Sequence, residues 1–348
     1  MTGGSGFVGS HAVRALLDRG DHVRVLARGA REAESLAGLE DVQRISGSVF
    51  DTRALRRALK GADLVVHAAG LVSFRGPDRA RLFELNTEGT RAVIEEAKRA
   101  GIERVVHVSS AGTFGPAPAT KTIDESQVFR AGSLGIAYVN SKREAEVEAM
   151  RVAATGLDVV CINPTVAFGP GDTAARPASI VPAYLGGRIV AFVPGTINVV
   201  DVRDVAQMVV AADELGRTGD RYILGGRNFT SDRLFADLAR LSGAEPPPKL
   251  PYRTALAIVV AADRAGVRSG LHADQVRAAG QHWAYRSDKA RRELGFSPRP
   301  HERTLEDSVA WHLERMGGRA GERPVPPLTM RFAMGAAGAF GAVARRFG

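Results

Sequence analysis

The sequence contains a single cysteine, Cys161, in 348 residues. No disulfide can therefore form within the chain, which excludes the small disulfide-stapled secreted folds and predicts a reducing, cytoplasmic setting. Cys161 lies in the apolar run from Leu157 to Ile162, where we expect a buried structural thiol rather than a nucleophile. No metal-ligand spacing is recognisable in the sequence, so no metal site is predicted.

Long apolar runs are also missing. No segment approaches the ~20 apolar residues that a membrane-spanning helix needs, and none resembles a signal peptide. The net charge is +9, but the basic residues are mostly arginines scattered among acidic ones, without a compact basic stripe. We therefore expect no nucleic-acid partner. A hydrophobic fraction of 45% and a charged fraction of 24% are typical of a globular protein.

The first ten residues form a glycine-rich pattern, TGGSGFVG, with Gly3, Gly6 and Gly9 at three-residue spacing. Glycines let the backbone approach a pyrophosphate without a Cβ in the way, and a following helix supplies N–H groups and a partial positive charge. An apolar helical pattern follows and stops at Gly20. The pattern indicates a βαβ unit that binds a dinucleotide at its first turn.

A first strand of about five residues should run into Thr2, but only Met1 precedes it. Either the natural start lies upstream, or the sheet lacks its central strand and leaves neighbouring backbone groups without partners. We expect a shortened start.

The second strand, Val23 to Ala27, favours NADP over NAD as the cofactor. An NAD site usually has an acidic residue near the end of this strand to bind the ribose 2′-hydroxyl, whereas an arginine accommodates a 2′-phosphate. Here Ala27 occupies the acidic position and Arg28 follows it.

Strand and helix patterns alternate through the next eighty residues. We expect strands at Val42 to Ser46, Asp63 to His67 and Arg104 to Ser109, and helices at Asp51 to Leu59 and Asp78 to Ala100. This alternation predicts an α/β fold with a Rossmann-type doubly wound parallel sheet. One strand ends in small residues that would let a ribose and phosphates lie against the backbone: Ala68, Ala69 and Gly70.

Three residues carry the predicted chemistry. Tyr138 and Lys142 are four residues apart and share one helix face. An ammonium near a phenol favours the phenolate and lowers the phenol's pKa from about 10 toward the range of proton exchange at neutral pH. Ser110, at the end of the preceding strand, would hold the substrate oxygen.

Together these motifs resemble the extended short-chain dehydrogenase/reductases. The resemblance rests on TGGSGFVG, HAAG, NTEGT, HVSSAGTFG, YVNSK and NPTVAFGPGD, and runs from Thr2 to about Met316. It is strongest to the branch of dihydroflavonol reductases, 3β-hydroxysteroid dehydrogenases and hopanoid-associated epimerases. It implies that Ser110, Tyr138 and Lys142 are catalytic. It also implies an NADP site formed by Gly3, Gly6, Phe7, Val8, Gly9, Arg28, Ala68, Ala69, Gly70, Tyr138, Lys142 and Pro164.

Two departures from the family pattern matter. Many relatives have an aspartate after the third strand that binds the adenine amino group, whereas this chain has Gly47, Ser48 and Val49. Nucleotide-sugar dehydratases have an Asp-Glu pair after the catalytic hydroxyl residue. Ala111 and Gly112 stand there instead, which argues against a dehydratase.

The domain prediction has three parts. Residues 1–170 form the NADP-binding domain, to which residues 197–225 return, and residues 171–316 form a smaller, mostly helical substrate-binding region. Residues 317–348 are a linker and a Gly/Ala-rich tail. Two interpretations of the tail stay open: a short helix on an anionic membrane surface, or a disordered or loosely docked segment. Dimers through two packed helices are usual in the family, so a homodimer is one option.

The predicted function is an NADP(H)-dependent oxidoreductase that reduces a carbonyl or oxidises a secondary alcohol on a small, largely apolar substrate. The apolar segment from Thr254 to Ala262 is expected to be core, or else one wall of a substrate pocket. Two alternatives remain open. One is a nucleotide-sugar epimerase that uses the same three residues, and the other is a non-catalytic NADP-binding protein.

Overall fold

A central parallel sheet is built from the first 225 residues of the protein. The structure is a computed structural model that describes residues 1–29, 35–173, 179–264 and 272–321. The strands of this sheet are β1 (Arg24–Ala27), β2 (Gln43–Ser46), β3 (Leu64–His67), β4 (Arg104–Val108), β5 (Asp158–Pro164) and, later in the chain, β8 (Arg221–Leu224). β1 pairs with β2, and β3, β4, β5 and β8 follow one another, all in parallel.

Thr2 joins the two halves of this sheet. It forms parallel bridges to Leu26 on one side and to His67 on the other. The Thr2 N–H donates to Val66 O at 3.0 Å, and Thr2 O accepts from Ala68 N at 3.1 Å. One residue thus occupies the central position where a strand of about five was expected, and its own backbone groups are paired.

Helices cover both faces of the sheet. On one face lie α1 (Phe7–Arg19), α7 (Val202–Leu215) and α11 (Asp288–Leu294), which share an apolar core with the central strands. On the other lie α2 (Thr52–Leu59), α4 (Gly89–Arg99) and α5 (Ala137–Ala153), and Cys161 is fully buried there. The predicted doubly wound sheet is therefore confirmed, as is the burial of the thiol.

The predicted helix from Asp78 to Ala100 is interrupted in the middle. It begins as α3 (Arg79–Phe83), widens into a π-turn at Glu84–Glu88 and continues as α4. π-turns inside helices are frequent at functional sites because they shift the side chains that follow. Asn86 lies in this turn and is buried.

A smaller domain packs beside the carboxyl ends of the strands. Its three-stranded sheet consists of β6 (Val166–Phe168), β7 (Thr196–Asp201) and β9 (Arg227–Thr230). The surrounding helices are α6 (Ile180–Leu185), α8 (Ser231–Ser242), α9 (Tyr252–Arg264), α10 (Ala273–Ala279) and α12 (His301–Arg315). Thus β7 belongs to the small sheet, whereas β8 pairs with β5 and α7 packs on α1. The predicted smaller, mostly helical domain is confirmed.

Local signals fix several helix ends. Thr230 Oγ1 accepts from the N–H of Arg233 at the start of α8, and Gly20 ends α1 in the left-handed region at φ 98°.

Within the described residues, no helix combines the length and hydropathy needed to cross a membrane. The tail interpretation concerns Met330 to Phe347, which lies outside the described residues.

Candidate functional site

A cleft of about 840 Å³ lies between the carboxyl ends of the parallel strands and the smaller domain. Clefts of this size at this edge of an open α/β sheet are where such folds bind dinucleotides. Most of the residues predicted from the sequence line it: Gly3, Gly6, Phe7, Val8, Gly9, Ala68, Gly70, Ser110, Tyr138, Lys142 and Pro164. Ala69 and Arg28 are not among the lining residues. The Ala69 side chain packs into the apolar core instead.

The glycine turn leaves no room for side chains. A Cβ on Gly9 would lie 1.9 Å from Gly3 O, and a Cβ on Gly3 would lie 2.4 Å from the backbone of Ala68. Gly3 also adopts φ +70°, which L residues with side chains rarely do. The turn thereby brings the N-terminus of α1 onto the cleft with its first N–H groups available. This is a cradle suited to a diphosphate.

Arg28 is the residue for which the sequence predicts a contact with a 2′-phosphate. It follows the last residue of β1, Ala27, and is exposed. The end of β2 is followed by Gly47 and Ser48, and the Ser48 hydroxyl accepts from the N–H of Phe50. The sequence has no acidic side chain in positions 27, 28 or 48, which are those where a carboxylate would bind an adenosine ribose or the adenine amino group.

Ser110, Tyr138 and Lys142 meet on this cleft from two elements. Ser110 lies two residues after the end of β4 and caps the short turn Ala111–Phe114, where its Oγ accepts from Gly112 N at 3.2 Å. Tyr138 lies in the first turn of α5, edge-on to the ring of Phe74 at 5.9 Å. Lys142 follows one turn later. All three side chains therefore line the same cleft.

Lys142 is buried, with 6% of its surface exposed. Its Nζ donates to Val108 O at 3.0 Å, which holds α5 against β4. Burial lowers the pKa of Lys142 from 10.5 to about 8, and the carboxylate of Glu146 opposes this shift. At neutral pH the side chain is still mainly an ammonium.

The sequence interpretation missed Glu146, which is fully buried one turn beyond Lys142. Its Oε2 accepts from Ser109 Oγ and from Asn163 Nδ2, each at 2.6 Å. Its Oε1 lies 2.5 Å from the guanidinium of Arg221 on β8. The spacing Lys-x-x-x-Glu on one helix face was the available signal, but it did not reveal the partners on three strands.

Asn86, quoted above only as part of NTEGT, fixes the loop that leaves β3. Its Oδ1 accepts from Leu71 N at 2.7 Å, and its Nδ2 donates to Leu71 O and to Ser141 Oγ. Ser141 lies between Tyr138 and Lys142 on α5. Asn86 therefore ties one wall of the cleft to the helix that carries Tyr138 and Lys142.

His67 and His107 stack on each other beneath Lys142, with ring centroids 5.3 Å apart. The hydroxyl of Thr90 donates to Asn86 O, so it accepts from His67 Nε2–H, and His67 Nδ1 accepts from the hydroxyl of Thr2. Burial lowers the pKa of His67 to about 3 and that of His107 well below its usual value, and the charge of Lys142 acts in the same direction. Both imidazoles are neutral.

Comparison with known proteins gives a consistent result. Residues 1–225 match the model of the NAD dependent epimerase/dehydratase family. The chain is 35% identical to sterol demethylase protein B of Methylococcus capsulatus over 90% of this chain and 98% of that protein. It is 34% identical to a putative dihydroflavonol 4-reductase of Synechocystis, with 89% and 93% covered.

Solved structures show the same fold. The crystal structure of gox2253 superposes with a TM-score of 0.80 at 30% identity and covers 91% of this chain and 98% of that one. A nucleoside-diphosphate-sugar epimerase from Pseudomonas aeruginosa superposes with a TM-score of 0.76 at 26% identity, with 91% and 97% covered.

Proposed function

Because the chain belongs to the NAD dependent epimerase/dehydratase family, within the extended short-chain dehydrogenase/reductases, we propose that it is an NADP(H)-dependent reductase of an apolar carbonyl compound. The reverse reaction would be oxidation of the corresponding secondary alcohol. The family makes it a nicotinamide-dependent oxidoreductase. Beyond the family assignment, we propose that the cofactor is NADP, that the substrate is apolar and that single residues have the roles given below.

The proposal rests on one observation. The glycine turn that suits a dinucleotide and the side chains of Ser110, Tyr138 and Lys142 line the same cleft. The cradle fits a diphosphate because Gly3 and Gly9 stand where any Cβ would collide with backbone. Arg28 without a neighbouring acid supports a 2′-phosphate, hence NADP. When bound, the nicotinamide supplies the hydride that reaches the carbonyl carbon.

The chain's own residues would handle the proton and the oxygen. Ser110 Oγ hydrogen-bonds the carbonyl oxygen and stabilises the charge that builds there. Tyr138 donates its phenolic proton to that oxygen as general acid. Lys142 keeps a positive charge one helical turn away, which lowers the phenol's pKa and stabilises the phenolate left behind.

The walls of the cleft support an apolar substrate. Side chains from both domains line it with hydrocarbon and aromatic surface, including Phe74, Val181, Phe192, Leu234 and Trp283. Among the described lining residues, guanidinium groups come only from Arg75 and Arg188. Several relatives bear names of enzymes for apolar molecules, such as a farnesyl-dihydroquinoline-oxide ketoreductase of Stigmatella aurantiaca and a ceramide reductase of Caulobacter vibrioides.

The test is a panel of ketones and aldehydes of increasing apolar size, assayed with NADPH and NADH by loss of nicotinamide absorbance. We expect turnover with NADPH, and loss of nearly all of it in Tyr138→Phe, which keeps cofactor affinity because only the hydroxyl is removed. A Tyr138→Phe protein that retained most of its turnover would refute the assignment.

A nucleotide-sugar epimerase is the second candidate, since the similar Pseudomonas structure bears that function in its name. The same three residues would oxidise a hydroxyl and return the hydride to the other face. Such an enzyme retains its nicotinamide, so the absorbance of the purified protein discriminates between the two. A bound nicotinamide that does not exchange with added NADPH would favour the epimerase.

A further inference from the structure

Glu146 is a fully buried carboxylate that touches neither the cleft nor solvent. A buried charge costs several kcal/mol unless it is paired and hydrogen-bonded. Glu146 is compensated by Arg221 from β8, by Ser109 at the end of β4 and by Asn163 from β5. Arg143 adds a longer contact at 3.3 Å. One side chain of α5 is therefore bound to three strands of the sheet.

The partners of Glu146 also hold the backbone of Ser110. Asn163 Nδ2, which donates to Glu146, lies 3.2 Å from Ser110 O. Thr113 Oγ1 lies 2.8 Å from Ser110 O and 3.1 Å from Glu146 Oε2, and a hydroxyl has one proton, so it donates to the nearer oxygen. The carbonyl of Ser110 therefore accepts from Thr113, and the Thr113 hydroxyl itself lies within hydrogen-bond distance of Arg221 and Asn163, two partners of Glu146.

Glu146 lies on the same face of α5 as Lys142 and Tyr138, one and two turns further on. Lys142 binds Val108 O, and Glu146 binds the hydroxyl of Ser109. Val108, the last residue of β4, and Ser109 directly after it are therefore bound to α5 immediately before Ser110. These two hydrogen bonds hold the segment that leads into Ser110 against the helix that carries Tyr138.

We propose that Glu146 is a positioning residue of the reaction: its carboxylate fixes the strand end bearing Ser110 against the helix face bearing Tyr138 and Lys142. The kinetic part of this inference rests on the proposed function. Positioning matters at this scale, because a displacement of about 1 Å in a catalytic constellation costs on the order of a hundredfold in rate.

The same carboxylate acts on the charge of Lys142. The titratable groups near Lys142 are Tyr138 and Glu146 from its own helix, His67 from β3, His107 from β4 and Cys161 from β5. The histidines and the thiol are neutral at pH 7, because burial lowers the pKa of both histidines and raises that of Cys161. Removing the charge of Glu146 should therefore make Lys142 lose its proton at lower pH.

The experiment compares four variants of the full chain. Glu146→Gln removes the charge, Glu146→Asp keeps it on a shorter arm, and Glu146→Gln with Arg221→Met avoids an unpaired buried guanidinium. Met also preserves the contact with the Phe114 ring, over which Arg221 lies at 3.7 Å. The matched control is Glu96→Gln, another buried carboxylate on a helix, paired with Arg56 away from the cleft.

We expect Glu146→Gln and the double variant to lose about tenfold or more in kcat, with the dissociation constant of NADPH unchanged within about twofold. In both, the pH above which the reductive rate falls should move down. Glu146→Asp should keep the wild-type pH profile with a lower kcat. Glu96→Gln should lose stability but keep kcat and the profile. Folded Glu146→Gln and double variants with wild-type kcat and pH profile would overturn the proposal.

A readout without substrate separates this inference from the proposed function. The titration of Lys142 can be followed by NMR in lysine-labelled protein and assigned with Lys142→Met. In Glu146→Gln its midpoint should fall below the wild-type value of about 8. An unchanged midpoint contradicts the role of Glu146 even if a substrate is never found. A wild-type protein that turns over no carbonyl contradicts the proposed reductase alone.

Discussion

Replacing Lys142 with methionine should stabilise the free protein at pH 7 while removing its activity. Burial lowers the pKa of this lysine from 10.5 to about 8. One pKa unit corresponds to about 1.4 kcal/mol, so holding the ammonium in the fold costs about 3 kcal/mol. Methionine has a similar length and shape and carries no charge.

Part of that gain is offset. The variant loses the hydrogen bond from Lys142 Nζ to Val108 O, which contributes about 1 kcal/mol. Glu146 loses a favourable neighbour but keeps Arg221. The net expectation is a gain of about 2 kcal/mol in the free energy of unfolding at pH 7, or a rise of a few degrees in Tm.

The sign of the pH dependence is a sharper test than the magnitude. Between pH 8 and 10.5 the unfolded chain holds a proton on Lys142 that the folded protein has released. Stability of the wild type therefore rises with pH across this window, because the unfolded state binds more protons. Lys142→Met lacks that rise, so its advantage is full below pH 8 and disappears toward pH 10.5.

Urea unfolding at pH 7 and at pH 9.5, without cofactor, measures the difference. The control is Lys60→Met, which changes an exposed lysine at the end of α2. The reasoning is refuted if Lys142→Met is less stable than the wild type at pH 7. It is also refuted if the difference between the two proteins stays constant between the two pH values.

Three further changes test other parts of the site. Arg28→Ala should raise the KM for NADPH about tenfold and leave that for NADH unchanged, since a charged contact to a 2′-phosphate is lost. Gly9→Ala should abolish NADPH binding, measured by fluorescence, because its Cβ would lie 1.9 Å from Gly3 O, whereas Gly76→Ala enters open space and should bind normally. Asn86→Ala should lower kcat and increase hydrogen exchange in the loop after β3, because three hydrogen bonds to Leu71 and Ser141 are lost.

The parts of the fold that the sequence predicted correctly are those set by local chemistry. The helix α1 ends at Gly20 and the helix α2 runs to Leu59, as expected. Each has a local signal, a glycine in the left-handed region at the end of α1 and the carboxylate of Asp51 accepting from Ala54 N at the start of α2. The strands β1 to β4 of the main sheet were likewise found to within one residue, because buried parallel strands are short apolar runs.

The parts that were missed depend on distant partners. Glu146 meets Ser109 and Asn163, 37 and 17 residues away in sequence, and neither contact leaves a trace in a local pattern. The π-turn at Glu84–Glu88 keeps the apolar spacing of a helix, so periodicity alone could not separate it from one. The membership of β7 in the smaller sheet depends on its pairing with β6 and β9.

Behind the cleft, the charges of Lys142, Glu146 and Arg221 alternate in sign, which explains how a buried ammonium is retained. Lys142 lies next to the carboxylate of Glu146, and that carboxylate lies against the guanidinium of Arg221. A protonated His67 or His107 would repel Lys142, but burial keeps both neutral. In the proposed mechanism, the positive charge that would act on Tyr138 therefore depends on a carboxylate two helical turns behind the phenol. Because each charge is balanced by the next, a substitution at Glu146 or Arg221 should change proton transfer at Tyr138.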